Sequence, residues 1–156
     1  MAYKLVSYYG LFFWLMWGQA QADDLKHSPE NSTYNNECGS CHVPYPASLL
    51  GRSEWQNILG TLDNHFGVDA SLDKLSQQQI ASYLQQYSAT KARVAITKTA
   101  TLPRISQSTW FKREHDEISA QVWQRPSIKS AANCMACHSQ ADKGSYNERK
   151  IRIPKS

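Results

Sequence analysis

All four cysteines of the chain stand in two copies of one five-residue pattern, Cys38-Gly39-Ser40-Cys41-His42 and Cys134-Met135-Ala136-Cys137-His138. That spacing is the covalent attachment signature of c-type haem. The chemistry explains the order. Each thiol adds to one haem vinyl group to form a thioether, and the next residue, His, reaches the iron from the same side. Three other readings of four cysteines fit less well. A zinc site would use C-x-x-C pairs about 15–20 residues apart, whereas more than half of the chain separates Cys41 from Cys134. A thioredoxin-like redox pair needs a strand–helix context and leaves both histidines unexplained. A plain disulfide framework leaves them unexplained too. The expectation is therefore two covalently bound haem c groups, held by Cys38, Cys41, Cys134 and Cys137, with His42 and His138 as proximal iron ligands.

Each iron then needs a second axial ligand or keeps an open face. Three other histidines are present, His27, His65 and His115. The only methionine beyond Ala22 is Met135, inside the second attachment loop and badly placed to cross to a distal face. Met/His ligation, which raises the reduction potential, is thus disfavoured. Around His65, Trp55, Ile58, Leu59 and Leu62 recur at helical spacing, and His65 and Phe66 continue that face. Ser53 and Gln56 have the spacing of a capping box. Around His115, Phe111, His115 and Ile118 share one helical face. A lone His on an apolar stripe is ordinarily a satisfied core residue. Here two haems need partners and two such residues exist, so His65 and His115 are the expected distal ligands. His27 lies in a polar stretch near Pro29 and reads as an exposed terminal residue.

The segment Met1 to Ala22 contains one charge, Lys4, then an apolar run from Tyr8 to Trp17, then Ala20-Gln21-Ala22. The run is shorter than the roughly 20 residues that span a bilayer, and the small-x-small ending fits a signal peptidase site. Cleavage after Ala22 is expected. It would leave Asp23 to Ser156 and remove a single lysine from the 17 Lys and Arg that stand against 13 Asp and Glu. That modest excess, without a dense basic block, argues against nucleic-acid binding. Lys112, Arg113, Lys143, Arg149, Lys150 and Arg152 read first as solvated surface.

The remainder divides into two expected units, residues 23–98 and 99–156, joined through a Thr/Lys/Ala-rich stretch at 97–103. A helix over Ser76–Tyr87, with Ser76 and Gln79 as a capping box, would bury Ile80, Tyr83, Leu84 and Tyr87. The second attachment motif is expected on a helix from about Ser130. At this size the second unit lies near the lower limit for a self-sufficient core, so its haem must supply much of its apolar interior. The alternating tail Lys150-Ile151-Arg152-Ile153-Pro154 suits either an extended packing segment or a free end.

Four segments, taken in order, resemble the small bacterial dihaem cytochrome c family. They are Asn36 through Pro46, Leu62-Asp63-Asn64-His65-Phe66-Gly67, Trp110 through His115, and Asn133 through His138. The resemblance implies a mainly α fold. A helical, single-haem cytochrome c-like domain would come first, and a smaller, less regular haem unit second. It implies a periplasmic electron carrier with two bis-His, low-potential haems, working between a membrane electron donor and a soluble haem-protein acceptor. The partners it implies are a membrane b-type cytochrome and a small oxygen-binding monohaem cytochrome c. No nucleic acid and no small-molecule substrate are expected. An open or displaceable distal site would instead suit a haem enzyme or a gas-binding sensor.

Overall fold

Asn31 opens the first helix by accepting a hydrogen bond from the Tyr34 amide at 2.8 Å. It thereby satisfies one of the amides that every helix start leaves unpaired. The computed structural model describes residues 28–91, 94 and 104–155. The expected signal segment, His27, and the junction between the two units lie outside the described residues.

The helices run in order α1 (Ser32–Cys38), α2 (Arg52–Leu59), α3 (Lys74–Tyr87), α4 (Thr109–Glu114) and α5 (Ala120–Trp123). Short 3₁₀ turns link them, and among the described residues there is no β-strand, only isolated bridges. The expected mainly α class is what the chain adopts.

In the first unit α1, α2 and α3 pack together around Tyr34, Leu50, Trp55, Leu59, Ile80 and Leu84. Ile80 and Leu50 are fully buried. The expected stripe on α3 forms, with Ile80 and Leu84 buried and Tyr83 and Tyr87 against the core. Polar groups at the core edge are paired. The Trp55 indole donates to the Ala47 carbonyl at 2.8 Å, and the Gln77 amide donates to the Leu59 carbonyl at 2.9 Å, closing the end of α2. Ile105 is buried in this same core and Trp110 packs on it, so the chain after the junction leans on the first unit.

Neither expected capping box starts its helix. Asp73 caps α3, accepting from the Leu75 and Ser76 amides at 2.9 and 3.0 Å. A carboxylate there satisfies two orphan amides at once. Gly51 precedes α2 with no side-chain cap, while Ser53 bonds to the Glu54 carboxylate. The start of α2 is set instead by tertiary pairing, with Gly51 bridged to Ala89.

The second unit is held differently. Over residues 109–155 the buried hydrophobic residues are Ile128 and Ala141. The second motif lies on a 3₁₀ turn, Cys134–Ala136, rather than on the expected helix. The chain there is pinned by backbone bonds and by Asn133, whose amide donates to the Ile128 carbonyl at 3.0 Å. The tail is a packing segment. The Arg152 amide donates to the Cys137 carbonyl at 3.0 Å, and the Arg125 guanidinium donates to the Pro154 carbonyl at 2.6 Å.

Truncating Ile80 to Ala should cost about 2–5 kcal/mol, read from denaturant unfolding of the haem-loaded protein. The Asp73 carboxyl is held below its usual range, first by Ser76 and then by the Leu75 amide. A depressed folded pKa adds stability above the ordinary carboxylate range that is lost as pH falls through the folded value. Asp73→Ala should therefore lower the melting temperature at neutral pH, and the gap to the parent should close in acid.

Candidate haem sites

The first site grows from the end of α1. Cys38 is the last helical residue, and Cys41 and His42 follow in the turn. Nδ1 of His42 lies 2.8 Å from the Val43 carbonyl. A carbonyl only accepts, so Nδ1 carries the proton and Nε2 keeps its lone pair for a metal. The His65 ring lies opposite, with centroids 6.3 Å apart and planes inclined by 26°.

His65 does not continue the face of α2, as its spacing suggested. That helix ends at Gly60, whose amide donates to the Gln56 carbonyl, and Thr61 Oγ1 donates to the Asn57 carbonyl. A 3₁₀ turn, Leu62–Asn64, follows. His65 then opens a tight turn in which its amide donates to the Val68 carbonyl and the Val68 amide donates back, at 2.8 and 3.2 Å. Phe66 and Gly67 occupy its two central positions with φ of 53° and 97°. Positive φ is natural for glycine and costs an aromatic residue on the order of 1 kcal/mol. In return Phe66 packs edge-on against the His65 ring at 4.8 Å, and the Arg104 guanidinium sits 4.2 Å over the Phe66 ring. Burial lowers the His65 pKa, with His42 and Arg104 adding to it.

The second site is built from α4, the second motif and the tail. Ser108 caps α4, accepting from the Phe111 amide at 3.0 Å. The helix stops at Glu114, and His115 terminates it. Nδ1 of His115 donates to the Phe111 carbonyl at 2.9 Å, while the Phe111 ring stacks on the imidazole at 4.1 Å. Trp123 packs on the same imidazole at 5.9 Å. The His138 ring faces His115 at 6.1 Å, with planes at 78°. Tyr146 packs on His138 at 5.3 Å. Burial, then His115, lowers the His138 pKa.

Between these groups lies a cavity of about 700 Å³, lined among others by Trp110, Ile118, Ile128, Cys134, Ile151 and Ile153. Met135 is not in that lining and is exposed. All four cysteines are free of disulfides. Burial pushes the Cys38 and Cys134 thiols up to about 11, with Glu37 adding to the first. Among the described residues no three His, Cys, Asp or Glu side chains converge on one metal position.

Haem fits what is present. Two imidazoles bound on opposite faces of one metal, with metal–nitrogen bonds of about 2 Å, have centroids about 6 Å apart. Both pairs meet that spacing. Nδ1 of His65, Nδ1 of His138, Trp110 Nε1 and Tyr146 OH are buried without a hydrogen-bond partner. Buried polar groups are rarely left so, and the propionates of a haem are acceptors of the kind the last two lack.

The dihaem cytochrome c family model matches residues 34–146. The chain belongs to that family. It is similar to the crystal structure of a dihaem cytochrome c from Shewanella baltica, at 38% identity and TM-score 0.69, covering 81% of this chain and 94% of that one. It is also similar to the dihaem cytochrome c of Rhodobacter sphaeroides, at 39% identity and TM-score 0.66, covering 76% and 98%. A further crystal structure of the Rhodobacter protein matches at 39% identity and TM-score 0.64, covering 77% and 100%. No curated protein matches. As a dihaem cytochrome c, the protein carries two covalently bound haem c groups on its two C-x-x-C-H motifs, and its class of activity is electron transfer.

Sequence reading brought forward the four histidines that the fold sets in two pairs. It missed the aromatic residues behind them. Tyr45, Trp123 and Tyr146 touch their histidines, and no local periodicity marks them. The Phe66-Gly67 pair, with its two positive φ values, is legible only as a turn signal.

Gly67→Ala puts a side chain where φ is 97°. The turn should deform and release His65, at a stability cost on the order of 1–2 kcal/mol. The expected readout is a high-spin fraction confined to one of the two haems in the optical and electron paramagnetic resonance spectra.

Proposed function

We propose that this dihaem cytochrome is a periplasmic, low-potential electron carrier. His42 and His65 are taken as the axial ligands of the first haem, and His138 and His115 as those of the second. The observation that carries this reading is the repeated imidazole pair, at 6.3 Å and 6.1 Å, in two otherwise dissimilar sites.

When bound, each haem supplies a one-electron ferric/ferrous couple. The chain does the rest. Imidazoles on both faces would leave no iron position for a substrate and would favour the ferric state over Met/His ligation, which would keep the potential low. Hydrogen bonds from Nδ1 of His42 and His115 to carbonyls fix each ring's orientation and raise its basicity as a ligand. Phe111, Trp123 and Tyr146 exclude water from the second site and hold its imidazoles in place.

Export by cleavage after Ala22 is part of this reading, because the covalent attachment of haem c takes place outside the bacterial cytoplasm. The family resemblance supports a membrane b-type cytochrome as electron donor and a small oxygen-binding monohaem cytochrome c as acceptor. An intact mass equal to the chain from Asp23 plus two haems would support export.

The deciding experiment is the spectrum of the purified holoprotein, oxidised and reduced, with and without carbon monoxide. Low-spin spectra unchanged by the gas are expected. A Soret shift on adding it would reveal an open iron and replace this reading with a haem enzyme or gas sensor. His115→Ala should open one haem only, so that the gas shifts that haem's share of the Soret band and leaves the other's unmoved.

A further inference from the structure

Tyr45 belongs to both haem sites. It closely follows the first attachment motif, and its ring lies 5.2 Å from the His42 ring at 37°. Yet it also lines the cavity of the second site, beside Cys134, His138 and Tyr146. Tyr146 packs on His138. The two proximal histidines, far apart in the chain, are thus backed by neighbouring phenol rings.

The backbone of Tyr45 is not free to move away. The buried Tyr34 hydroxyl donates to the Tyr45 carbonyl at 2.6 Å. Tyr34 is itself set in the first core, edge-on to Trp55 at 6.4 Å and against Tyr83 at 5.2 Å. The Tyr45 backbone is therefore tied to the three-helix core while the residue forms a wall of the second cavity.

We propose that Tyr45 is a positioning residue shared by the two haem sites, a common wall through which the first unit shapes and desolvates the second. The inference rests on the ligand pairs proposed above. A low-dielectric wall disfavours the extra charge of ferric iron, so it raises the potential of each haem it faces. Removing it lets water approach both.

The test uses the haem-loaded protein. Tyr45→Leu should shift both midpoint potentials downward in a redox titration and alter both low-spin signals in the paramagnetic resonance spectrum. Tyr45→Phe, which keeps the ring, should leave both near the parent values. Ile80→Ala serves as the control, because it weakens the first core without touching either site and should move neither potential. If Tyr45→Leu does not accumulate, Tyr45→Trp changes the volume of the same wall and is read in the same way. A shift confined to one haem, no shift at all, or an equal shift in the Ile80 control would overturn the proposal. Failure of the ligand reading is distinguishable, since the parent protein would then lack two bis-His low-spin signals before any substitution.

Discussion

Two imidazole rings lie 6.3 Å apart in one site and 6.1 Å apart in the other, and in each site the two partners come from different stretches of chain. The interval from His42 to His65 equals that from His115 to His138, but the attachment motif comes first in one site and last in the other. The fold serves these two meetings. Helix α1 ends where the first motif begins, and α4 ends at His115. Helix α2 stops early so that the chain can turn at Phe66-Gly67 and present His65 from a short loop. A His on a continuing helix would be aimed by helical periodicity alone. On a tight turn it is aimed by the turn's two hydrogen bonds and by the ring packed behind it. The positive φ of Phe66 is an example of local strain retained where a functional side chain has to be placed.

The two units solve the core problem differently. The first has three helices and a set of fully buried side chains, so protein atoms pack on protein atoms. The second has short helices, 3₁₀ turns and few buried apolar residues. Its apolar side chains, among them Ile118, Ile151 and Ile153, line a cavity instead of meeting one another. A polypeptide of that size lies near the lower limit for burying enough of its own surface to order itself. A covalently attached haem supplies the missing apolar volume, and attachment at two thioethers removes much of the entropy of capturing it. Contact with the first unit, through Ile105, Trp110 and Tyr45, supplies the rest.

Much of the local structure was legible. The α3 stripe of Ile80, Tyr83, Leu84 and Tyr87 formed as its spacing required, because a helical period has one way to be buried. Helix starts were read less well. Asp73 outcompeted Ser76 as the cap of α3, since a carboxylate can accept from two amides, and the start of α2 was set by a backbone bridge to Ala89 that no local signal announces. The segment from Trp55 to His65 kept helical spacing throughout yet broke at Gly60. The motif expected on a helix after Ser130 lies on a single 3₁₀ turn, because the backbone there is held by Cys137, Asn133 and the tail rather than by helical propensity.

The cofactor chemistry was determined by the sequence alone. Thioether attachment needs two thiols and a His within one short run of chain, and a constraint that local survives any folding of the rest. The residue types available for distal ligation were equally a matter of inventory, since beyond Ala22 the chain has a single, badly placed Met, so each iron has a His to bind or keeps an open face. Which histidines face one another, which aromatic rings stand behind them, and that Tyr45 reaches from one site into the other were decided by the tertiary structure. Those relations depend on the chain reversing direction between distant residues, and the free energy that selects one reversal over another comes from packing side chains that have no common pattern in the sequence.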